Sequence, residues 1–202
     1  MPLLPHPVSH RSIKEKKQMK LMIASDLHGS FAYADQLIFR FREEKADKLL
    51  LLGDLLYHGP RNDLPLGYAP KKVIELLNGI KEYILCVRGN CDAEVDQMVL
   101  DFPIMAESLT LDVDGQRLVL VHGHHLSDNP PSVKTGDVVL FGHTHIPAKE
   151  ERDGVFYLNP GSVSIPKEQS PHGYMTYEKG VFFWKTLEGE PYQTLFLKEE
   201  EQ

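Results

Sequence analysis

The chain has 202 residues, enough for one domain with a sizeable core and too few for two comfortable ones. A hydrophobic share of 42% with 25% charged residues is ordinary for a globular protein, and no run approaches the roughly 18–20 apolar residues needed to span a bilayer. A net charge of −7 argues against a surface that wraps long nucleic acid through its phosphates.

Residues 1–18 carry three prolines and four basic residues against one acidic residue, with no periodicity. They lack the continuous apolar segment and small-residue cleavage site of a signal peptide. They read as a disordered extension, an expression remnant or an upstream start, with a single domain expected over 19–202. Lys20 to Ala24 is a short apolar strand that gives way to Ser25-Asp26. Phe31, Ala34, Leu37, Ile38 and Phe41 recur at helical spacing and predict a helix over 31–44. A second strand runs from Lys48 to Leu52 and ends at Gly53-Asp54. Pro70 in a first turn, followed by Val73, Ile74, Leu76 and Leu77, predicts a helix over 70–79. Tyr83 to Val87 is a third strand, ending at Arg88-Gly89-Asn90, and a further helix is expected over 93–100.

The periodicity then changes. Residues 108–113 and 117–121 flank Asp114-Gly115, a hairpin signature. Strands at 138–141 and 155–158 follow, and 174–177, 181–186 and 192–197 read as a closing meander. Continuous apolar strands alternating with helices predict a sheet buried on both faces in the first half; the hairpins predict a mainly antiparallel sheet in the second. Packed together they make an α/β fold, a sandwich of two face-to-face sheets with helices outside. The meander offers an edge that could pair in a homo-oligomer. The acidic tail at 198–202 reads as solvated. Two cysteines, Cys86 and Cys91, are too few for a disulfide scaffold and suit a reducing cytoplasm.

Chemistry concentrates just past the strands. Asp26 and His28 follow the first, Asp54 the second, Asn90 the third, His122 the hairpin, and His143 and His145 the 138–141 strand. Taken singly, an Asp or Asn there more commonly makes a cap or turn, and a lone His more commonly packs. Jointly, seven oxygen and imidazole donors at five successive strand ends point to metal ligation. Residues i and i+2 of an extended segment face the same way, so Asp26 with His28, and His143 with His145, could each converge. Glycines at 53, 89, 123 and 142 stand beside these donors and permit close backbone approach. Seven donors suit two ions sharing a carboxylate, roughly 3.5–4 Å apart, as in two-metal phosphoryl chemistry. Mn²⁺, Fe and Zn²⁺ all accept this ligation.

The set DLHG (26–29), GDLLYHG (53–59), GNCD (89–92), HGH (122–124) and GHTH (142–145) resembles the calcineurin-like metallophosphoesterases. The likeness extends from about Lys20 to about Pro166. HGPRN (58–62), VRGNCD (87–92) and NPGSVSIPK (159–167) are similar to a small bacterial branch whose members act on phosphodiesters. The resemblance implies a four-layer α-β-β-α arrangement of two mixed sheets. It implies one metal held by Asp26, His28 and His145, another by Asn90, His122 and His143, and Asp54 bridging them. Mn²⁺ is the first choice, with Zn²⁺, Fe or Ni²⁺ as alternatives. A hydroxide shared by the two ions would attack a phosphodiester in line with the leaving oxygen, which assigns catalysis to Asp54, Asn90, Cys91 and His122. Cys91 departs from many relatives, which carry there a histidine acting on the leaving group; a thiol with an ordinary pKa of about 8.5 is a poorer acid.

Arg61, His58 and His124 are candidate substrate contacts, and His124 or His125 could also orient His122 or face solvent. Asp92 could hydrogen-bond a ligand residue or cap the helix over 93–100, the cap being slightly favoured; Cys86 is expected to be core, and Asn159 and Ser162 to be structural in preference to lining the cleft. A small soluble phosphodiester is the expected substrate, with no long nucleic acid and no membrane. A phosphomonoesterase on the same site is the alternative, and an interaction scaffold is a remoter one.

Overall fold

The structure, a computed structural model, describes residues 18–197. The extension assigned to residues 1–18 (all but Gln18) and the acidic tail lie outside the described residues. Two sheets stack face to face. The first has the strand order β11-β10-β9-β1-β2-β3, formed by β1 (Leu21–Ala24), β2 (Lys48–Leu51), β3 (Ile84–Cys86), β9 (Gly173–Glu178), β10 (Val181–Thr186) and β11 (Pro191–Phe196). The second has the order β4-β5-β6-β8-β7, formed by β4 (Ser108–Val113), β5 (Gln116–Val121), β6 (Val138–Leu140), β7 (Ala148–Arg152) and β8 (Val155–Asn159).

The strand sequences explain the layering. Successive side chains point to opposite faces. Met22 and Ala24 of β1, with Leu49 and Leu51 of β2, therefore meet the helices. Leu21, Ile23 and Leu50 instead meet Leu118, Leu120, Leu140 and Leu158 of the second sheet. That is why four leucines can run together: both faces of the strand are covered. Trp184 is fully buried between the sheets and donates its indole N–H to the Asn159 carbonyl at 2.7 Å. Helix α1 (Phe31–Glu43) starts where Ser30 accepts a hydrogen bond from Tyr33 N–H, and it buries Ala34, Leu37, Ile38 and Phe41. Helix α2 (Pro70–Asn78) opens on its proline and buries Val73 and Leu77. The expected helix over 93–100 is the single turn α3 (Glu94–Gln97).

Both sheets are mixed, as anticipated, but the chain is distributed between them differently. The meander β9–β11 joins the first sheet, because β9 pairs antiparallel to β1. The second sheet is not mainly antiparallel: β5, β6 and β8 run parallel, flanked by antiparallel β4 and β7. The unpredicted strand β7 reads AKEER, without apolar alternation, because it is an exposed edge. The helices α1 and α2 cover the first sheet. On the outer face of the second, Val119, Val139 and Val155 are covered by Leu126 and Val133 of the 122–137 segment, with no helix there among the described residues.

Parallelism is what makes the site. Strands β1, β2 and β3 run together in one sheet, and β5 and β6 run together in the other. Their carboxyl ends open on one crevice, where an open α/β sheet gathers ligands.

Candidate metal centre

Asp26, His28, Asp54, His122 and His145 are buried at these strand ends. The loops are extensions of the sheet ladder: Asp26 N–H donates to Gly53 O at 3.1 Å, and His28 N–H to Asp54 O at 2.9 Å. The side chains do not converge through extended geometry, however. Asp26, His28, Asp54, His143 and His145 all lie in the left-handed region, with φ of 60°, 46°, 57°, 66° and 62°. Extended i, i+2 geometry therefore does not bring these side chains together: each loop turns sharply to aim its donor. Non-glycine residues adopt this conformation at a cost, and such clusters mark functional sites.

Two glycines are required by contact. A Cβ at Gly89 would run into the Asp54 carboxylate and backbone nitrogen. One at Gly142 would strike the Ser25 hydroxyl and crowd Asp26.

Each carboxylate has one oxygen fixed and one turned inward. Asp26 Oδ2 accepts the His143 N–H at 3.1 Å, while the buried Oδ1 has no hydrogen-bond partner. His145 Nε2 lies 3.2 Å from that oxygen and His28 Nε2 3.6 Å. Asp54 Oδ1 accepts the Cys91 N–H at 2.8 Å. Its Oδ2 stands between His28 Nε2 at 3.7 Å and His122 Nε2 at 3.5 Å. Asn90 Oδ1 is 3.0 Å from His122 Nε2.

The imidazoles are locked from behind. The Nδ1 of His28 faces Tyr57 O at 2.7 Å, that of His122 faces Leu52 O at 2.6 Å, and that of His145 faces Ile165 O at 2.8 Å. A carbonyl can only accept, so Nδ1 carries a proton and Nε2 is the atom each ring turns inward, a lone pair once the ring is neutral as a metal ligand must be. His28 Nε2 and His145 Nε2 face one another at 3.2 Å. Lone pairs brought so close to an orphaned buried carboxylate oxygen fit a cation, and such carbonyl-backed imidazoles are how metal ligands are oriented.

Burial opposes the charge on Asp26, but the adjacent His145, His28 and His122 rings outweigh it and hold the carboxyl far below its ordinary range. Burial likewise disfavours a charged His122, yet Asp54 and Asp26 raise its pKa to about 9. His28 is raised against burial by Asp26. This negative centre favours positive charge. His143 differs: burial and the neighbouring His122 lower its pKa, so it stays neutral.

Among the described residues, three sets of donors lie within 4.8 Å of one another: Asp26–His28–His145, Asp26–Asp54–His122 and His28–Asp54–Cys91. The third set includes a sulfur that the oxygen-and-imidazole reading left out. Burial and the charge of Asp54 push the Cys91 thiol up to about 12, so it is a neutral thiol there. His143 stands at the edge of the group, its ring centroid 5.2 Å from that of His122.

A cavity of about 460 Å³ opens over these residues, lined also by Arg61, Asn62, Thr144 and Lys167. Arg61, a candidate substrate contact, is on this wall. The His58 ring packs edge-on between Tyr57 and Tyr68, with centroids 4.7 and 5.4 Å away, and is not among the residues lining this cavity. His124 does not line this cavity but the adjoining one, its ring 5.4 Å from that of His122, and His125 is exposed.

Asp92 is no helix cap. Fully buried, it accepts the N–H groups of Asp54, Leu55 and Gly89, each at 2.8 Å, and so holds the strained Asp54 turn. The single turn α3 is capped by Asp96, which accepts the Ala93 N–H. Asn159 and Ser162 are structural, as expected. Asn159 donates to Gly142 O, while Ser162 and Ser164 both donate to Asp26 O at 2.9 Å. Cys86 is core. Lys167 was not singled out, because a lone lysine after Ile165-Pro166 carries no signal of its own; its N–H bonds His145 O, which brings the residue to the rim.

A two-sheet α/β sandwich that gathers carboxylates and imidazoles where its parallel strands end defines a protein with a divalent-cation cleft. A family model, the calcineurin-like phosphoesterase superfamily domain, matches residues 19–179, and the chain belongs to that superfamily of phosphoric ester hydrolases. The phosphodiesterase YfcE of Escherichia coli strain K12 is 50% identical over 164 residues, 81% of this chain and 89% of that protein. A solved structure of the E. coli phosphoesterase YfcE aligns with a TM-score of 0.86 at 44% identity, covering 89% of this chain and 100% of that one. The structure of Vps29 from Entamoeba histolytica complexed with zinc has a TM-score of 0.56 at 17% identity over 89% of this chain and 100% of its own, a likeness of fold alone.

Proposed function

We propose that this chain is a phosphodiesterase acting on a small diester with two divalent ions, Mn²⁺ being the first choice. Asp26, His28 and His145 would hold one ion, Asn90, His122 and His143 the other, and Asp54 would serve both. The observation that carries the reading is the inward set of Nε2 lone pairs, locked by backbone carbonyls, around the unpartnered Asp26 Oδ1. Asp54 Oδ2, placed between His28 and His122, supports its shared role. When bound, such ions supply Lewis acidity to the phosphoryl oxygens and activate water.

The chain's own residues do the rest. Arg61 and Lys167 line the cleft and offer positive charge to the phosphoryl oxygens. Asp92 and the paired serines fix the loops that carry Asp54 and Asp26. Cys91, a protonated thiol that accepts a hydrogen bond from the Asn90 amide at 3.3 Å, cannot match imidazolium as an acid. Leaving groups that depart without a proton are therefore favoured, which points to activated diesters before monoesters. The 50% identity to a phosphodiesterase supports the same choice. Two free cysteines suit a cytoplasmic setting. Among the described residues, no helix is long and apolar enough to cross a membrane.

The test is hydrolysis of bis(4-nitrophenyl) phosphate with added Mn²⁺. Wild-type protein should turn it over faster than 4-nitrophenyl phosphate, and Asn90→Ala and His122→Ala should each lose about 10²-fold or more. A monoester preference would favour the phosphatase reading. Full metal-dependent activity in both variants would sink the two-ion assignment.

A further inference from the structure

Beside the catalytic cleft lies a second cavity of about 600 Å³. The two share His143 and Thr144, so they flank one loop. Asp54, Cys91 and Arg61 line only the first.

The sheet builds this cavity. Ala148, Glu150 and Arg152 alternate along the edge strand β7 and so present one face. Tyr157 of β8 is the register partner of Glu150 and continues that face. Phe141, just past β6, and Leu126, from the covering segment, add apolar wall. The rim is polar: the Arg152 guanidinium lies 5.3 Å over the Tyr157 ring and pairs with Glu150. Because the second sheet has no helix over this face, the bed stays open beside the phosphate position.

We propose that this cavity is a subsite for one ester arm of the substrate, and that the arm is a planar aromatic group, aryl or nucleoside in kind; this rests on the phosphodiesterase reading. A phosphate with only small arms would leave the apolar bed of Tyr157, Phe141 and Leu126 uncovered. An aliphatic arm would cover the bed but offer no polar edge to the Glu150–Arg152 pair on its rim. A flat ring with a polar edge satisfies both, since its face covers apolar surface while its edge meets donors and acceptors. The volume admits one such arm and not a polymer, in keeping with the acidic chain.

The test reads affinity as well as turnover. Phenylphosphonate and methylphosphonate present the same anion to Mn²⁺-loaded protein and differ only in the arm. By titration calorimetry, wild type should bind the phenyl compound about tenfold more tightly, the scale expected for burying one ring. Ser127→Trp, at an exposed position lining the cavity, and Tyr157→Ala should each reduce that preference to within about twofold while leaving methylphosphonate affinity unchanged. Equal affinities in wild type, including no measurable binding of either, would overturn the subsite; so would a preference that survives both substitutions. Bis(4-nitrophenyl) phosphate turnover by the same preparation reads the parent proposal separately. An aromatic preference without turnover would leave the subsite standing and remove the phosphodiesterase reading.

Discussion

Asp92 illustrates how much of a metal centre lies in residues that never face the metal. Its two oxygens take three backbone N–H groups from Asp54, Leu55 and Gly89. Removing the carboxylate strands three buried donors and releases the left-handed turn that aims Asp54. Asp92→Ala should cost about 2–4 kcal/mol in denaturant unfolding and weaken Mn²⁺ binding together with stability. A loss under about 0.5 kcal/mol would mean the turn holds itself. Cys91 predicts the opposite behaviour. A general acid is worth about 10²-fold or more, but a thiol raised to about 12 by burial and Asp54 supplies little of that. Cys91→Ser should leave kcat for bis(4-nitrophenyl) phosphate within about threefold of wild type, and a far larger drop would show that the thiol takes part in the chemistry.

At the scale of elements, one ion cluster ties α1 to the first sheet. Glu44, at the end of α1, accepts from Lys20 Nζ at 2.7 Å, Lys185 Nζ at 2.6 Å and Tyr174 OH at 2.9 Å. Burial alone would raise its pKa; these partners, Lys185 foremost, lower it from an ordinary 4.5 to about 2. A depressed carboxylate stabilises the fold above its unfolded pKa and loses that contribution as pH falls through the folded value. Glu44→Gln should therefore destabilise by about 2 kcal/mol at pH 7, with the gap to wild type closing between about pH 4.5 and pH 2. A gap independent of pH would contradict the pairing.

The elements were legible wherever burial imposed a pattern. The leucines of β2, the helical spacing in α1 and Asp-Gly between β4 and β5 all had one reading. What escaped depended on partners distant in sequence. Nothing in β9 announces that it pairs with β1, and nothing in AKEER marks β7 as a strand, because an exposed edge carries charge in place of alternation. The candidate ligands were legible as a set, since their chemistry recurs at strand ends. Their positive φ values were not, and neither was the role of Asp92, which needed three loops in place before its partners existed.

For the molecule as a whole, the two parallel strand groups matter most, because their carboxyl ends place donors from both sheets around one crevice. Asp26 and Asp54 come from the first sheet, His122 and His145 from the second. The cleft therefore exists only in the packed sandwich, and ion binding should stabilise the fold against unfolding. Counting bound ions distinguishes the proposed two-ion centre from a single site. Calorimetric titration of metal-free protein with Mn²⁺ should give two ions per chain, and one in either His122→Ala or His145→Ala. A single ion in the wild type, or two retained in both variants, would contradict it.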